Sequence, residues 1–199
     1  MKTPIHRPRS ARGFTLIEMM VTVVLLAILM ALAFPAMSEW VRNSRIRTVA
    51  DALQNGLRLA QTEALRRSRQ TVFSLTADTN PADGLTAVAN GANWSVNFVP
   101  LLTGEEDDAT FIQGGGLTGL APDVRITGPA TLCFNSLGRV VDNATPGTGV
   151  ACTASAAAYN ITIPNADRPM RVLVALGGQV RLCDPAKTLS DTHPDGCPA

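Results

Sequence analysis

Histidine is nearly absent from this chain of 199 residues, which carries only His6 and His193. The motifs that mark common enzyme chemistries are missing as well: there is no G-x-S-x-G, no H-E-x-x-H and no phosphate-cradling P-loop. His193 lies in a tail rich in Pro, Asp and Gly, where a solvated loop residue is expected rather than a general base. Net charge is close to zero, with 17 Lys and Arg against 16 Asp and Glu, so the chain as a whole is not a strongly basic nucleic-acid carrier. No C-x-x-C pair exists, which argues against zinc. The run Glu105-Glu106-Asp107-Asp108 lacks the alternation and the glycine of a calcium loop and reads as a solvated surface loop. No internal repeat is visible. The expectation is a protein with no catalytic site, no cofactor and no metal.

What the chain does have is a long apolar run near its start. From Met19 to Met37 only Thr22 is polar, a stretch of about 28 Å at 1.5 Å per helical residue, which just covers a bilayer core. The first 13 residues include Lys2, Arg7, Arg9 and Arg12 and no acid, so the N-terminus is expected to stay cytoplasmic and the C-terminus to cross. Glu18 sits at the mouth of the run. A carboxylate in a membrane helix costs about 2.5–3.5 kcal/mol on insertion scales, so it calls for a partner. An ordinary secretory signal is the competing reading, since Ala31-Leu32-Ala33 resembles an A-x-A cleavage site before Phe34. Against it, helical patterning continues well past Phe34. Ile46, Val49, Leu53, Leu57, Ala60 and Ala64 recur at spacings of three and four and form one apolar stripe. The pattern predicts one helix from Phe14 to about Ser68, roughly 80 Å long. Pro35 removes a backbone hydrogen bond and predicts a kink, and Gly56 is a second weak point.

After Gln70 the texture changes to short β-rich runs: Thr71–Thr76, Trp94–Val99, Val124–Thr127, Thr131–Phe134, Tyr159–Ile163, Met170–Leu176 and Gln179–Cys183. Clusters of Gly, Pro, Asn and Asp separate them, among them Gly114-Gly115-Gly116. Gly177-Gly178 reads as a two-residue hairpin. The fold class is therefore α+β, a long N-terminal helix packed on a mainly antiparallel sheet domain. Cys133, Cys152, Cys183 and Cys197 all fall in the part expected outside the cytoplasm, which favours two disulfides. Three pairings are possible. The sequence-local one, Cys133–Cys152 with Cys183–Cys197, is expected, because each bridge closes a short loop worth about 3 kcal/mol in the chain-entropy model.

Arg12-Gly13-Phe14-Thr15-Leu16-Ile17-Glu18 followed by the apolar run and Pro35 resembles the class III signal of type IV pilins and type II secretion pseudopilins. That resemblance implies cleavage by a prepilin peptidase between Gly13 and Phe14, N-methylation of Phe14, and pairing of Glu18 with the Phe14 amine of a neighbouring subunit in a filament. It divides the chain into a leader over 1–13, a membrane-spanning or filament-core helix over 14–37, an amphipathic half-helix over 38–69 and a periplasmic β-domain over 70–199. Phe134-Asn135-Ser136-Leu137-Gly138-Arg139 and Gly178-Gln179-Val180-Arg181-Leu182-Cys183 resemble the two landmarks of the GspH/FimT branch. The branch implies a pilin-like fold, an inner-membrane precursor and a minor subunit of a type IV pilus or type II secretion pseudopilus, with other pilins or pseudopilins as partners. Some of its members bind DNA through a C-terminal Gly-Arg-x-Arg motif, of which this chain keeps only Arg181, with Gln179 in the place of the first arginine. Arg139, Arg171, Arg181 and Lys187 are the candidate DNA-binding residues, set against the plainer possibility that Arg171 and Arg181 pair with acids such as Asp167 or Asp184.

Overall fold

The computed structural model describes residues 13–82, 85–101 and 110–198. Lys2, Arg7, Arg9 and Arg12 and the acidic run Glu105–Asp108 lie outside the described residues. The chain divides into two compact units, one ending at Ser38 and the other beginning at Glu39.

One helix, α1, runs from Leu16 to Arg67. Its N-terminus is closed by a reciprocal pair of bonds. The Glu18 N–H donates to Thr15 Oγ1 at 3.3 Å, and the Thr15 N–H donates to Glu18 Oε2 at 3.5 Å. This is a capping box, with Thr15 as N-cap and Glu18 at the third helical position. At the other end Ser68 takes φ 51°, the Ser68 N–H donates to Leu65 O, and the Arg69 N–H donates to Ala64 O. These are the two bonds of a Schellman stop. Arg66 and Arg67 in the last turn complement the negative end of the helix dipole.

In the first unit the apolar side chains face outward all round; Leu16 is 79% exposed. The helix is long and apolar enough to cross a membrane by length and composition. In the second unit the predicted stripe is buried: Ile46, Val49, Leu53, Leu57, Ala60 and Ala64 belong to one core with both sheets.

The strands are β1 (Thr71–Thr76), β2 (Asn93–Phe98), β3 (Phe111–Gly115), β4 (Arg125–Thr127), β5 (Thr131–Phe134), β6 (Val140–Val141), β7 (Ala157–Thr162), β8 (Met170–Val174), β9 (Val180–Thr188) and β10 (Gly196–Cys197). They form two five-stranded sheets, ordered β3-β2-β1-β5-β6 and β10-β9-β8-β7-β4. All pairings are antiparallel except the short β9–β10 contact. Phe73 joins the sheets at the centre of the core, stacked on Trp94 at 6.0 Å and edge-on to Tyr159 at 5.9 Å. Tyr159 is fully buried, and burial pushes its phenol far above the ordinary tyrosine range.

One expectation fails, and another gains a second meaning, for a steric reason. The triglycine at 114–116 reads as a turn, yet Gly114 and Gly115 belong to β3. A Cβ at Gly115 would stand 2.6 Å from Trp94 Nε1, and one at Gly56 on α1 would stand 2.8 Å from the same indole. Both glycines are the space Trp94 occupies, so Gly56 is a packing position and not merely a weak point of the helix. The sequence-local cysteine pairs are bonded, Cys133 to Cys152 and Cys183 to Cys197. The first lies in a small second cluster with Val72 and Val99, and the second ties β10 to β9.

Candidate functional site

Two regions carry the residues singled out by sequence. The first is the start of α1. Gly13 and Phe14 precede the helix, and a Cβ at Gly13 would meet nothing within 4 Å. Packing against the described residues therefore does not require glycine there. Phe14 is 77% exposed. The capping box fixes the Glu18 carboxylate against the backbone of Thr15, one residue from Phe14. The helix thus presents a carboxylate at its positive end, where the dipole favours it. Thr15 escaped the sequence reading although T-x-x-E before an apolar run is a legible capping signature. Pro35 lies within α1, which runs through it from Leu16 to Arg67.

The second region lies where two hairpin tips meet. Between β5 and β6 the Asn135 N–H donates to Arg139 O and the Gly138 N–H donates to Asn135 O, with Gly138 at φ 72°. Between β8 and β9 the Ala175 N–H donates to Gln179 O and the Gly178 N–H donates to Ala175 O, with Gly178 at φ 87°. Both are three-residue loops ending on a left-handed glycine. The two-residue hairpin expected at Gly177-Gly178 is thus corrected, because Gly178 is the left-handed third residue of a longer loop. The two tips touch. A Cβ on Gly178 would stand 1.9 Å from Gly138 O, the Gly178-facing carbonyl that also accepts from Gln61 Nε2 of α1 at 3.0 Å. The Val140 N–H donates to Leu176 O across the same junction. The two landmark motifs, far apart in sequence, are one structural feature. Arg58 of α1 donates to Val180 O at 3.3 Å just beyond it.

The candidate cations divide around this junction. Arg139 is exposed on the first tip. Arg171 and Arg181 stand on neighbouring strands, where β8 residue Leu173 faces Arg181 and Arg171 faces Cys183. Val172, Val174 and Val180 point into the core, so both arginines lie on the opposite, outer face. They do not pair with Asp167 or Asp184. Arg171 Nε donates to Asn160 Oδ1 at 2.6 Å, and Arg181 donates to Pro194 O at 3.0 Å and Gly196 O at 3.5 Å. Arg181 therefore holds the C-terminal segment beside the Cys183–Cys197 bridge. Lys187 pairs with Asp195 at 2.6 Å and with Asp184 at 3.7 Å. The hydrogen bond to Asp195 raises the ammonium's pKa and lowers that of the carboxyl. Asp167 accepts from Asn43 Nδ2 at 2.6 Å, which holds its carboxyl below the ordinary range. The four cations do not form one open basic stripe; Lys187 is neutralised and Arg181 is engaged by backbone. Among the described residues no group of His, Cys, Asp and Glu could hold a metal ion.

Residues 8–34 match the prokaryotic N-terminal methylation motif, and residues 49–178 match the model described as type II transport protein GspH. No curated protein matches the chain at the level of sequence. Among solved structures, the type IV minor pilin FimU of Pseudomonas aeruginosa is similar with 15% identity and a TM-score of 0.46, over 70% of this chain and 96% of that one. The minor pseudopilin EpsH from the Type 2 Secretion System of Vibrio cholerae is similar with 15% identity and a TM-score of 0.48, over 72% of this chain and 99% of that one.

Proposed function

The chain belongs to the family of type II transport protein GspH, and from that membership we propose that it is a minor pilin or pseudopilin, processed between Gly13 and Phe14 and built into a filament through α1. The observation that carries this reading is the start of the helix. An exposed Gly13–Phe14 junction is followed at once by Thr15 and Glu18 locked in a capping box, and then by a helix apolar on every side. Residues 8–34 also match a methylation motif, the modification that follows such a cut. Under this reading Glu18 pairs with the Phe14 amine of the next subunit, Pro35 softens the helix where subunits repack on leaving the membrane, and the β-domain faces the periplasm. Prepilin peptidase and the other subunits of the filament are the partners. The chain should appear in the sheared filament fraction of cells that contain the peptidase and be missing from it in cells that lack the enzyme. Equal amounts in both would refute the assignment.

A DNA-contacting role is the second reading, favoured by one observation: Arg171 and Arg181 share the outer face of neighbouring strands. Engagement of Arg181 by carbonyls and of Lys187 by two carboxylates weakens it. The unit from Glu39 onward is expected to show no duplex-DNA binding by fluorescence anisotropy at physiological salt. Micromolar binding that falls steeply with salt and is lost in the Arg171→Ala/Arg181→Ala variant would establish the DNA role.

A further inference from the structure

In the second unit a groove of about 430 Å³ opens between the beginning of that unit's helix and strands β8 and β9. Trp40 and Arg47 line it from α1, Arg168 from the β7–β8 loop, and Asp184, Lys187 and Asp195 from the opposite side. Trp40 is 69% exposed, a large apolar surface left to solvent by a ring that is usually mostly covered. Lys187 is shared between the two aspartates. Arg47 and Arg168 make no ion pair among the described residues. Among the lining residues three cations stand against two carboxylates, an excess of one positive charge, and the Asp167 carboxylate lies near enough to Arg168 to feel its charge. The cations in excess are guanidinia, whose forked donors fit phosphate oxygens.

Chain connectivity decides which phosphate. Trp40 follows Met37, the end of the apolar run, by three residues, about 5 Å along a helix. In a membrane-anchored chain that distance would put Trp40 in the headgroup layer, where tryptophan concentrates. The neighbouring arginines are differently placed: Arg42 donates to Asn165 O at 2.9 Å, and Arg45 lines a separate pocket with it. We propose that the groove bounded by Trp40, Arg47 and Arg168 seats the phosphodiester of an anionic phospholipid while the chain is still anchored in the membrane. The proposal rests on the membrane-anchored reading above. A bound headgroup would place its single negative charge between Arg47 and Arg168, with the indole covering the glycerol side.

The full chain, reconstituted in phosphatidylcholine nanodiscs with increasing phosphatidylglycerol, tests this through quenching of Trp40 by acrylamide, a neutral quencher. Trp94 is only 6% exposed and contributes little. Quenching should fall as phosphatidylglycerol rises. Arg47→Gln/Arg168→Gln should weaken that dependence by at least about 30-fold, the loss of two surface cations, whereas Arg45→Gln should cost no more than the about 5-fold of a single one. Quenching independent of phosphatidylglycerol in the wild type would overturn the proposal, as would an equal loss in Arg45→Gln, which would mean surface charge alone. Inorganic phosphate reproducing the protection in pure phosphatidylcholine would reassign the groove to a free anion and overturn it too. Failure to insert into either lipid would strike the anchor reading and this proposal with it, while insertion without lipid dependence strikes this proposal alone.

Discussion

Gly178→Ala lowers the melting temperature of the β-domain by roughly 4–20 °C, and Gly177→Ala leaves it nearly unchanged. The difference lies in geometry that the two adjacent glycines do not share. Gly178 has φ 87° and would bring its Cβ to 1.9 Å from Gly138 O, a backbone atom, whereas Gly177 has open space around it. A left-handed alanine costs about 1–2 kcal/mol, and forcing apart a packed contact costs about 1–3 kcal/mol more. Each kcal/mol shifts the midpoint of a domain this size by about 2–4 °C. Separation of the tips would also strand the Gln61 side chain that bonds Gly138 O. Near-UV circular dichroism of the detergent-solubilised chain during heating reads the effect. Equal midpoints for Gly178→Ala and wild type would show that the two tips are not held together as described.

Glu18→Ala abolishes incorporation into filaments while the β-domain folds as before. Two explanations of Glu18 make that same forecast, and Glu18→Gln separates them. The capping box needs an acceptor at the third helical position, and glutamine serves as well as glutamate. Pairing with a neighbour's amine needs the negative charge. If charge is the purpose, Glu18→Gln fails to incorporate as completely as Glu18→Ala. Thr15→Ala, which removes the cap and keeps the charge, costs the helix only about 0.5–2 kcal/mol and still incorporates. Detection of each variant in sheared filaments gives the answer. Normal incorporation of Glu18→Gln would reduce Glu18 to a helix cap.

Much of the fold was readable from the residues. The stripe from Ile46 to Ala64 has helical period and a single apolar face, and it is the helix surface that enters the core. Thr71–Thr76 and Thr131–Phe134 are dense in β-branched and apolar residues bounded by turn signals, and they form strands with those bounds. β3 was missed because Gly115 makes room for Trp94 of the neighbouring strand β2, a tertiary demand that no local propensity carries. β6 and β10 are two residues each, too short for a period to be seen. β9 continues through Pro185 to Thr188, which local rules forbid in a central strand. There the pairing with β10 is irregular, and an irregular edge is where proline is tolerated.

The candidate site was legible in part. The signal around Gly13, Phe14 and Glu18 is local, so its residue types survive inspection of the sequence alone. The junction of the two hairpin tips is not local. Its two glycine motifs could be recognised, but their contact depends on topology that brings β5–β6 beside β8–β9. The cations show the converse limit of a local reading. Arg139, Arg171, Arg181 and Lys187 look like a group in sequence, yet Lys187 is matched by Asp184 and Asp195, Arg171 is bonded to Asn160 and Arg181 to backbone carbonyls. Counting charges along a chain says little about which of them are already engaged.

The N-terminal residue of the chain recovered from cells, determined by mass spectrometry, tests the filament-subunit role most directly. A filament subunit begins at a methylated Phe14, with Glu18 retained. A chain beginning at Phe34 would mean cleavage by an ordinary signal peptidase and a secreted soluble domain, and a chain still beginning at Met1 in cells that contain prepilin peptidase would mean no processing; either result contradicts that role.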